Sequence, residues 1–191
     1  MRLLITGFDP FGGADINPSW EAVRLLPDQI GSVEVHKLMI PTVFGKAAEA
    51  VMAAAEALEP DVILCVGQAG GRTGVTPERI GINVRQARIP DNEGNQPQEQ
   101  AVIGDGPDGL FATAPVVEMV RAMEAAGLPA GVSNSAGTFV CNDTLYTLLY
   151  KYRGTGIRVG FIHVPYLPEQ GTPALPLEDT VRALEAAISV L

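Results

Sequence analysis

Four side chains supply all the thiols and imidazoles of this chain: Cys65, Cys141, His36 and His163. A nucleophilic thiol needs a base that takes its proton and later returns it to a leaving amine, and imidazole suits that task near neutral pH. Cys65 lies inside the apolar run Val62-Ile63-Leu64-Cys65-Val66. Burial there raises a thiol pKa and makes it inert. Cys141 follows the small-residue stretch Ser133-Asn134-Ser135-Ala136-Gly137-Thr138 and opens a helix-forming segment. A thiol at a helix start meets the positive end of the macrodipole and unpaired backbone N–H groups, and both favour thiolate. The sequence therefore predicts an activated Cys141. Packing of a helix onto a sheet would use the same residue equally well, because free cysteine is often buried.

His36 sits in Val33-Glu34-Val35-His36-Lys37, where strand alternation turns it towards solvent. His163 closes an apolar run at residues 157–164, just before Pro165. A side chain there approaches any site at the end of a strand, although a hydrogen-bonded core histidine fits as well. A third group should orient the imidazole and stabilise its cation. Glu78, in Thr76-Pro77-Glu78-Arg79, follows a glycine loop and is the candidate. The same residues also read as a capped helix start with an acid in its first turn. The residues alone leave both accounts of Glu78 open.

The elements that must position these groups alternate between strand and helix. Residues 2–6 form an apolar run ending at Gly7. Asn17-Pro18 opens a helix to residue 26, with Asn as cap and Pro preorganised for the first turn. Residues 33–40 read as a strand, 45–58 as an alanine-rich helix, and 62–66 as a central strand covered on both faces. A strand is expected at 80–86, then a long polar loop at 88–109, a helix at 114–126 and a strand at 130–133. A helix at 141–152, a strand at 157–164 and a terminal helix at 177–191 complete the chain. This alternation predicts an α/β fold: a three-layer α/β/α sandwich around a mostly parallel, mixed, twisted sheet, in one catalytic domain spanning residues 1–191. Sites in such sheets form at the carboxyl ends of strands.

Composition narrows the partners. The chain has 191 residues, 47% of them hydrophobic and 18% charged, as expected for a full core. A formal net charge of −9 disfavours nucleic acid, which needs a basic face. No apolar run approaches the roughly 18 residues that span a bilayer, and Met1 to Gly7 lacks a signal segment, so a cytoplasmic, membrane-free protein is expected. Two cysteines and two histidines show no metal-ligand spacing, and no cofactor is expected. The glycine loops Phe11-Gly12-Gly13 and Gly67-Gln68-Ala69-Gly70-Gly71-Arg72 lack the Gly-Lys-Ser/Thr of a phosphate loop.

Three separated segments together resemble the type I pyroglutamyl peptidases, a family of cysteine peptidases. They are Gly7-Phe8-Asp9-Pro10-Phe11-Gly12-Gly13 with Asn17-Pro18-Ser19; Gly67-Gln68-Ala69-Gly70-Gly71-Arg72 through Val75-Thr76-Pro77-Glu78-Arg79-Ile80-Gly81-Ile82-Asn83; and Ser133 through Asn142 with His163-Val164-Pro165. Gly81 stands where the family usually has alanine. The resemblance implies Cys141 as nucleophile, His163 as general base and Glu78 as third member. It implies hydrolysis of N-terminal pyroglutamyl peptides through a thioester. It also points to Phe8, Phe11, Ile89, Phe139 and Val140 as contacts of the lactam ring, to Gln68 and Asn17 as polar partners, and to Arg88 as a second oxyanion donor beside the Cys141 N–H. A homotetramer is the family's usual assembly. Two other readings compete: a nucleoside phosphorylase-like enzyme, which would need phosphate and tolerate loss of Cys141, and a non-catalytic binding module.

Overall fold

The computed structural model describes residues 1–191 without interruption. Its centre is β1 (Arg2–Phe8), flanked in parallel by β3 (Val33–Ile40) on one side and β4 (Val62–Gln68) on the other. Beyond β4 lies β8 (Arg158–Val164), also parallel. The two edges are antiparallel: β2 (Gln29–Ile30) against β3, and β5 (Thr76–Pro77) against β8. The order is therefore β2-β3-β1-β4-β8-β5. A separate two-stranded ribbon pairs β6 (Ile80–Ile82) with β7 (Gly109–Phe111).

Strand alternation sorts the apolar side chains into two cores. Leu3, Ile5, Leu64, Val66, Ile162 and Val164 face α1 (Pro18–Leu25), α3 (Val116–Ala125) and α5 (Leu177–Ile188). Leu4, Phe8, Ile63, Cys65, Val159 and Phe161 face α2 (Lys46–Leu58) and α4 (Val140–Tyr152). Each fully buried side chain of this size stabilises the fold by about 2 kcal/mol. The result is the expected three-layer α/β/α sandwich with a mostly parallel sheet. No helix is long and apolar enough to cross a membrane.

Several boundaries differ from the sequence expectation. β1 and β4 run two residues further, to Phe8 and Gln68. The expected strand at 80–86 stops at Ile82, because the Asn142 amide takes over as backbone partner: Oδ1 accepts from Ile82 N at 2.9 Å, and Nδ2 donates to the Ile82 and Val84 carbonyls. The expected strand at 130–133 is reduced to two isolated parallel bridges, Val75 with Ala130 and Glu78 with Ser133. Pro77 lacks the N–H that would continue the ladder between the two bridges, which limits the pairing. The helix-start reading of Thr76-Pro77-Glu78 is overturned, since Thr76–Pro77 is a strand. The terminal helix ends at Ile188, short of residue 191.

Candidate active site

Register and alternation assemble the site. His163 on β8 is level with Gly67 on β4 and Thr76 on β5. Odd-numbered residues of β8, including Phe161 and His163, point to the α2/α4 side, and α4 carries Cys141 in its first turn. Gly67 faces the same side. A methyl group there would stand 2.9 Å from Cys141 Sγ and 2.8 Å from the Phe161 ring, so only glycine leaves room for the sulfur. Glu78 lies two residues beyond Thr76 and is held by Glu78 N donating to Phe161 O at 2.8 Å.

The carboxylate and the imidazole are joined directly. His163 Nδ1 meets Glu78 Oε1 at 2.7 Å, with His163 3% and Glu78 0% exposed. An Nδ1–H donated to the carboxylate leaves Nε2 with the lone pair that a base requires. Burial holds His163 below its ordinary value of 6.5, against the opposing pull of Glu78. For Glu78, burial pushes upward, but hydrogen bonding and charge from His163, with Ser133 and Arg72, outweigh it and keep the carboxyl low. The pair is therefore a neutral imidazole on an ionised carboxylate. Glu78 Oε2 is buried without a hydrogen-bond partner, and the Ser133 hydroxyl that could serve it is turned to the Ser135 carbonyl at 3.2 Å. That contact is long enough for a hydroxyl rotation to exchange it.

Cys141 corrects one expectation. Although the residue keeps some exposure, burial of the thiol pushes its pKa up to about 12, and the Glu78 charge adds to this. Arg72 and the backbone N–H of Cys141 pull the other way and are outweighed. The helix start does favour the anion, as the sequence implied, but desolvation beside a carboxylate is the larger effect. The resting residue is a thiol. Cys65 is also held up to about 12, by complete burial.

Cys141 and His163 line one pocket of about 340 Å³, with Phe8, Phe11, Asn17, Gln68, Arg72 and Phe139 also in its wall. Its aromatic side is rigid: Phe139 lies 6.0 Å from Phe11 and meets Phe44 edge-on at 5.3 Å. The pocket opens into a larger groove of about 1090 Å³ that shares Phe11, Gln68 and Phe139 with it. Arg88 and Ile89 line that outer groove and are absent from the inner wall. Val140 lies apart from both, fully buried in the α2/α4 core. Asn17 reaches the pocket, but its amide is committed to capping: Oδ1 accepts from Ser19 N and Oγ, and Nδ2 donates to Asp9 O. Gln68 Oε1 accepts from Gln170 Nε2 at 3.2 Å, which leaves the Gln68 amide N–H groups for a ligand.

Three contributors escaped the sequence reading. Arg72 donates from Nη1 to Glu78 Oε1 at 2.8 Å and to the Thr76 hydroxyl. Asp143, two residues after Cys141 and fully buried, accepts from Gly45 N at 2.8 Å and Arg85 Nε at 2.5 Å, which anchors the first turn of α4. Asp91 gathers the loop that follows Arg88. For Arg72 the signal was present in the motif Gly70-Gly71-Arg72; the other two pairings are too distant in sequence to be seen. No group of three or more His, Cys, Asp or Glu is placed to hold a metal ion.

Comparisons with known proteins agree with one another. The sequence profile of a family described as "Pyroglutamyl peptidase" matches residues 1–191. A pyrrolidone-carboxylate peptidase of Clostridium perfringens is 50% identical over 200 residues, covering 100% of this chain and 93% of the relative. One from Streptococcus pyogenes is 50% identical over 196 residues, covering 98% and 91%. The crystal structure of Bacillus amyloliquefaciens pyroglutamyl peptidase I superposes with a TM-score of 0.95 at 45% identity, covering 98% of this chain and 95% of that one. A mutant pyrrolidone carboxyl peptidase from Pyrococcus furiosus reaches 0.94 at 37% identity, covering 100% and 97%.

Proposed function

Since the chain belongs to the pyroglutamyl peptidase family, we propose that it removes N-terminal pyroglutamyl residues from peptides by thiol catalysis, with Cys141, His163 and Glu78 as nucleophile, base and orienting acid. The observation that carries this reading is the buried Glu78–His163 pair at 2.7 Å in the wall of a pocket that also holds Cys141.

The thiol and imidazole both rest uncharged, so attack and proton transfer go together. Cys141 Sγ bonds to the carbonyl carbon of the pyroglutamyl residue while its proton passes to His163 Nε2. Glu78 stabilises the imidazolium that forms. His163 then gives the proton to the leaving amine, the C–N bond breaks, and a thioester remains. Water attacks the thioester, losing a proton to His163, which returns it to the departing sulfur. The oxyanion meets the Cys141 N–H, one of the first-turn amides a helix leaves unpaired. Arg88 would join as a second donor by swinging inward from the outer groove.

The lactam has an apolar edge and a neutral amide. Phe8, Phe11 and Phe139 offer the first a slot, and the free Gln68 N–H groups offer the second a donor. Ile89 would meet what extends into the groove. The inner wall carries no acidic side chain except through Arg72-paired Glu78, so a free α-ammonium would enter unpaired and be rejected. Val140 contributes its backbone at the helix start. The expected homotetramer, the compartment and the single-domain character belong to this same reading.

The test is Cys141→Ala assayed with a fluorogenic pyroglutamyl amide, folding being checked by circular dichroism. Turnover should fall by about 10⁴ or more, as for loss of a nucleophile. A folded variant that still turns over removes the nucleophile assignment.

A further inference from the structure

The oxygen that holds the imidazole is shared. Glu78 Oε1 accepts from His163 Nδ1 at 2.7 Å and from Arg72 Nη1 at 2.8 Å, while Oε2 has no partner. Arg72 is fixed from three sides: by Glu78, by the Thr76 hydroxyl and by the Ser135 carbonyl at 3.2 Å. Its side chain is 25% exposed, so its charge acts from the pocket wall rather than from open solvent. Such a built arrangement demands an account, since Glu78 alone suffices to orient a histidine.

We propose that Arg72 is a positioning residue that neutralises Glu78, so that the resting His163 carries no proton on Nε2 and is free to take the one on sulfur. Charge counting gives the reason. With Arg72 present, Glu78⁻, Arg72⁺, neutral His163 and the Cys141 thiol sum to zero, so no excess negative charge draws a further proton into the site. Without Arg72, the resting set carries −1, and the buried site relieves it by taking a proton onto His163. The base is then occupied before substrate arrives.

Other charges near the imidazole do not replace Arg72. Glu78 follows β5, Cys141 is on α4 and Cys65 is on β4; none is a cation. Asp143 of α4 is already spent on Arg85 and Gly45 N. The directions found agree with this account: Arg72 lowers both His163 and Cys141, although burial is the largest cause for each.

The inference rests on the Cys141–His163 reading, and the experiment separates the two. The pH profile of kcat/KM is measured for the wild type, Arg72→Gln and Arg72→Lys. Removing the cation favours imidazolium, so the acidic limb of Arg72→Gln should move to higher pH by about one unit. Iodoacetamide inactivation of that variant at fixed pH should slow, because the thiolate has lost its cation. Arg72→Lys should return the limb towards the wild-type position. A limb that stays in place under a uniformly lower rate marks a purely structural Arg72 and overturns the proposal. Should Arg72→Gln fail to fold, Arg72→Met, which keeps the length of the side chain, is compared with the wild type by imidazole NMR, where only His36 and His163 give signals. A His163 titration moved to higher pH in the variant supports the proposal; one that stays at the wild-type position overturns it. Cys141→Ala is run alongside. Dead Cys141→Ala with an unmoved Arg72→Gln limb sinks this inference alone, whereas active Cys141→Ala sinks the reading beneath it.

Discussion

At Gly67 the sheet gives up a side chain, and the space goes to the sulfur of Cys141 beside His163. Burial raises both cysteines of the chain to about 12, so it does not single out the nucleophile. Access does. Cys65 is 0% exposed within the α2/α4 core, whereas Cys141 lines an open pocket. Iodoacetamide on the native protein should therefore alkylate Cys141 first, with activity lost in step, and reach Cys65 only on unfolding. Peptide mass mapping over the inactivation time course checks this, and early labelling of Cys65 would reverse the assignment. The sequence pointed to Cys141 and His163 from scarcity and from their places at the ends of elements. It could not show that Cys141 rests protonated, because burial and the Glu78 charge, which raise the thiol, come from residues brought together by folding. Glu78 was ambiguous for a related reason: Thr-Pro-Glu suits a helix start and a strand end equally, and only pairing with β8 decides.

At the scale of elements, the strand ends need a fixed rim. The loop at 88–97 supplies it through Asp91, whose Oδ1 accepts from Glu93 N and Asn95 N and whose Oδ2 accepts from Phe44 N at 3.0 Å. Asn92 donates from the same loop to Asp9 Oδ1 and Pro10 O, beside Phe8 and Phe11. Phe44 in turn supports Phe139. Asp91→Ala strands these donors, each left unpaired at a cost of about 1–3 kcal/mol unless the loop moves to water. The loop carries ring-side and groove residues but no reacting group. KM for a pyroglutamyl amide should therefore rise roughly tenfold, the equivalent of about 1.4 kcal/mol, with kcat changed less. Steady-state kinetics with hydrogen exchange over 88–97 measures it; unchanged KM with faster exchange would detach the loop from binding. Periodicity made β1, β3, β4, β8 and the five helices legible, because each buries a regular apolar face. It missed β5, and it overran at 130–133 and beyond Ile82, where the backbone partners are isolated bridges or the Asn142 side chain. Asp91 and Arg85 were hidden in a stretch whose polar composition read only as loop.

For the whole molecule, the groups that build the site also set the pH range over which it survives. Burial holds His163 below 6.5, so as pH falls through 6.5 the unfolded chain takes up a proton that the folded chain refuses, and stability drops. Glu78 and Asp91 are depressed below 4.5 and 3.8, so each contributes stability that is present above those values and is lost as pH falls through the folded ones. Their loss has the same sign and adds below that of His163. On the alkaline side, Cys65 and Cys141 are raised from 9.0 to about 12. Their contribution is complete below 9.0 and disappears as pH rises towards 12, because the unfolded chain ionises first. The net charge of −9 acts oppositely in acid, where protonation relieves repulsion. That relief is spread over a surface screened within about 8 Å at physiological salt, whereas the site is buried, so the site should dominate. Thermal unfolding followed from pH 4 to 10 should thus give a Tm plateau between about 6.5 and 9, falling on both sides, with each titrating group adding up to about 1.4 kcal/mol per pH unit to the slope. Cys65→Ala should lower Tm throughout yet flatten the alkaline fall, since one of its two thiols is gone. A Tm that climbs steadily into acid would mean that surface repulsion, rather than the buried site, governs the stability of the fold.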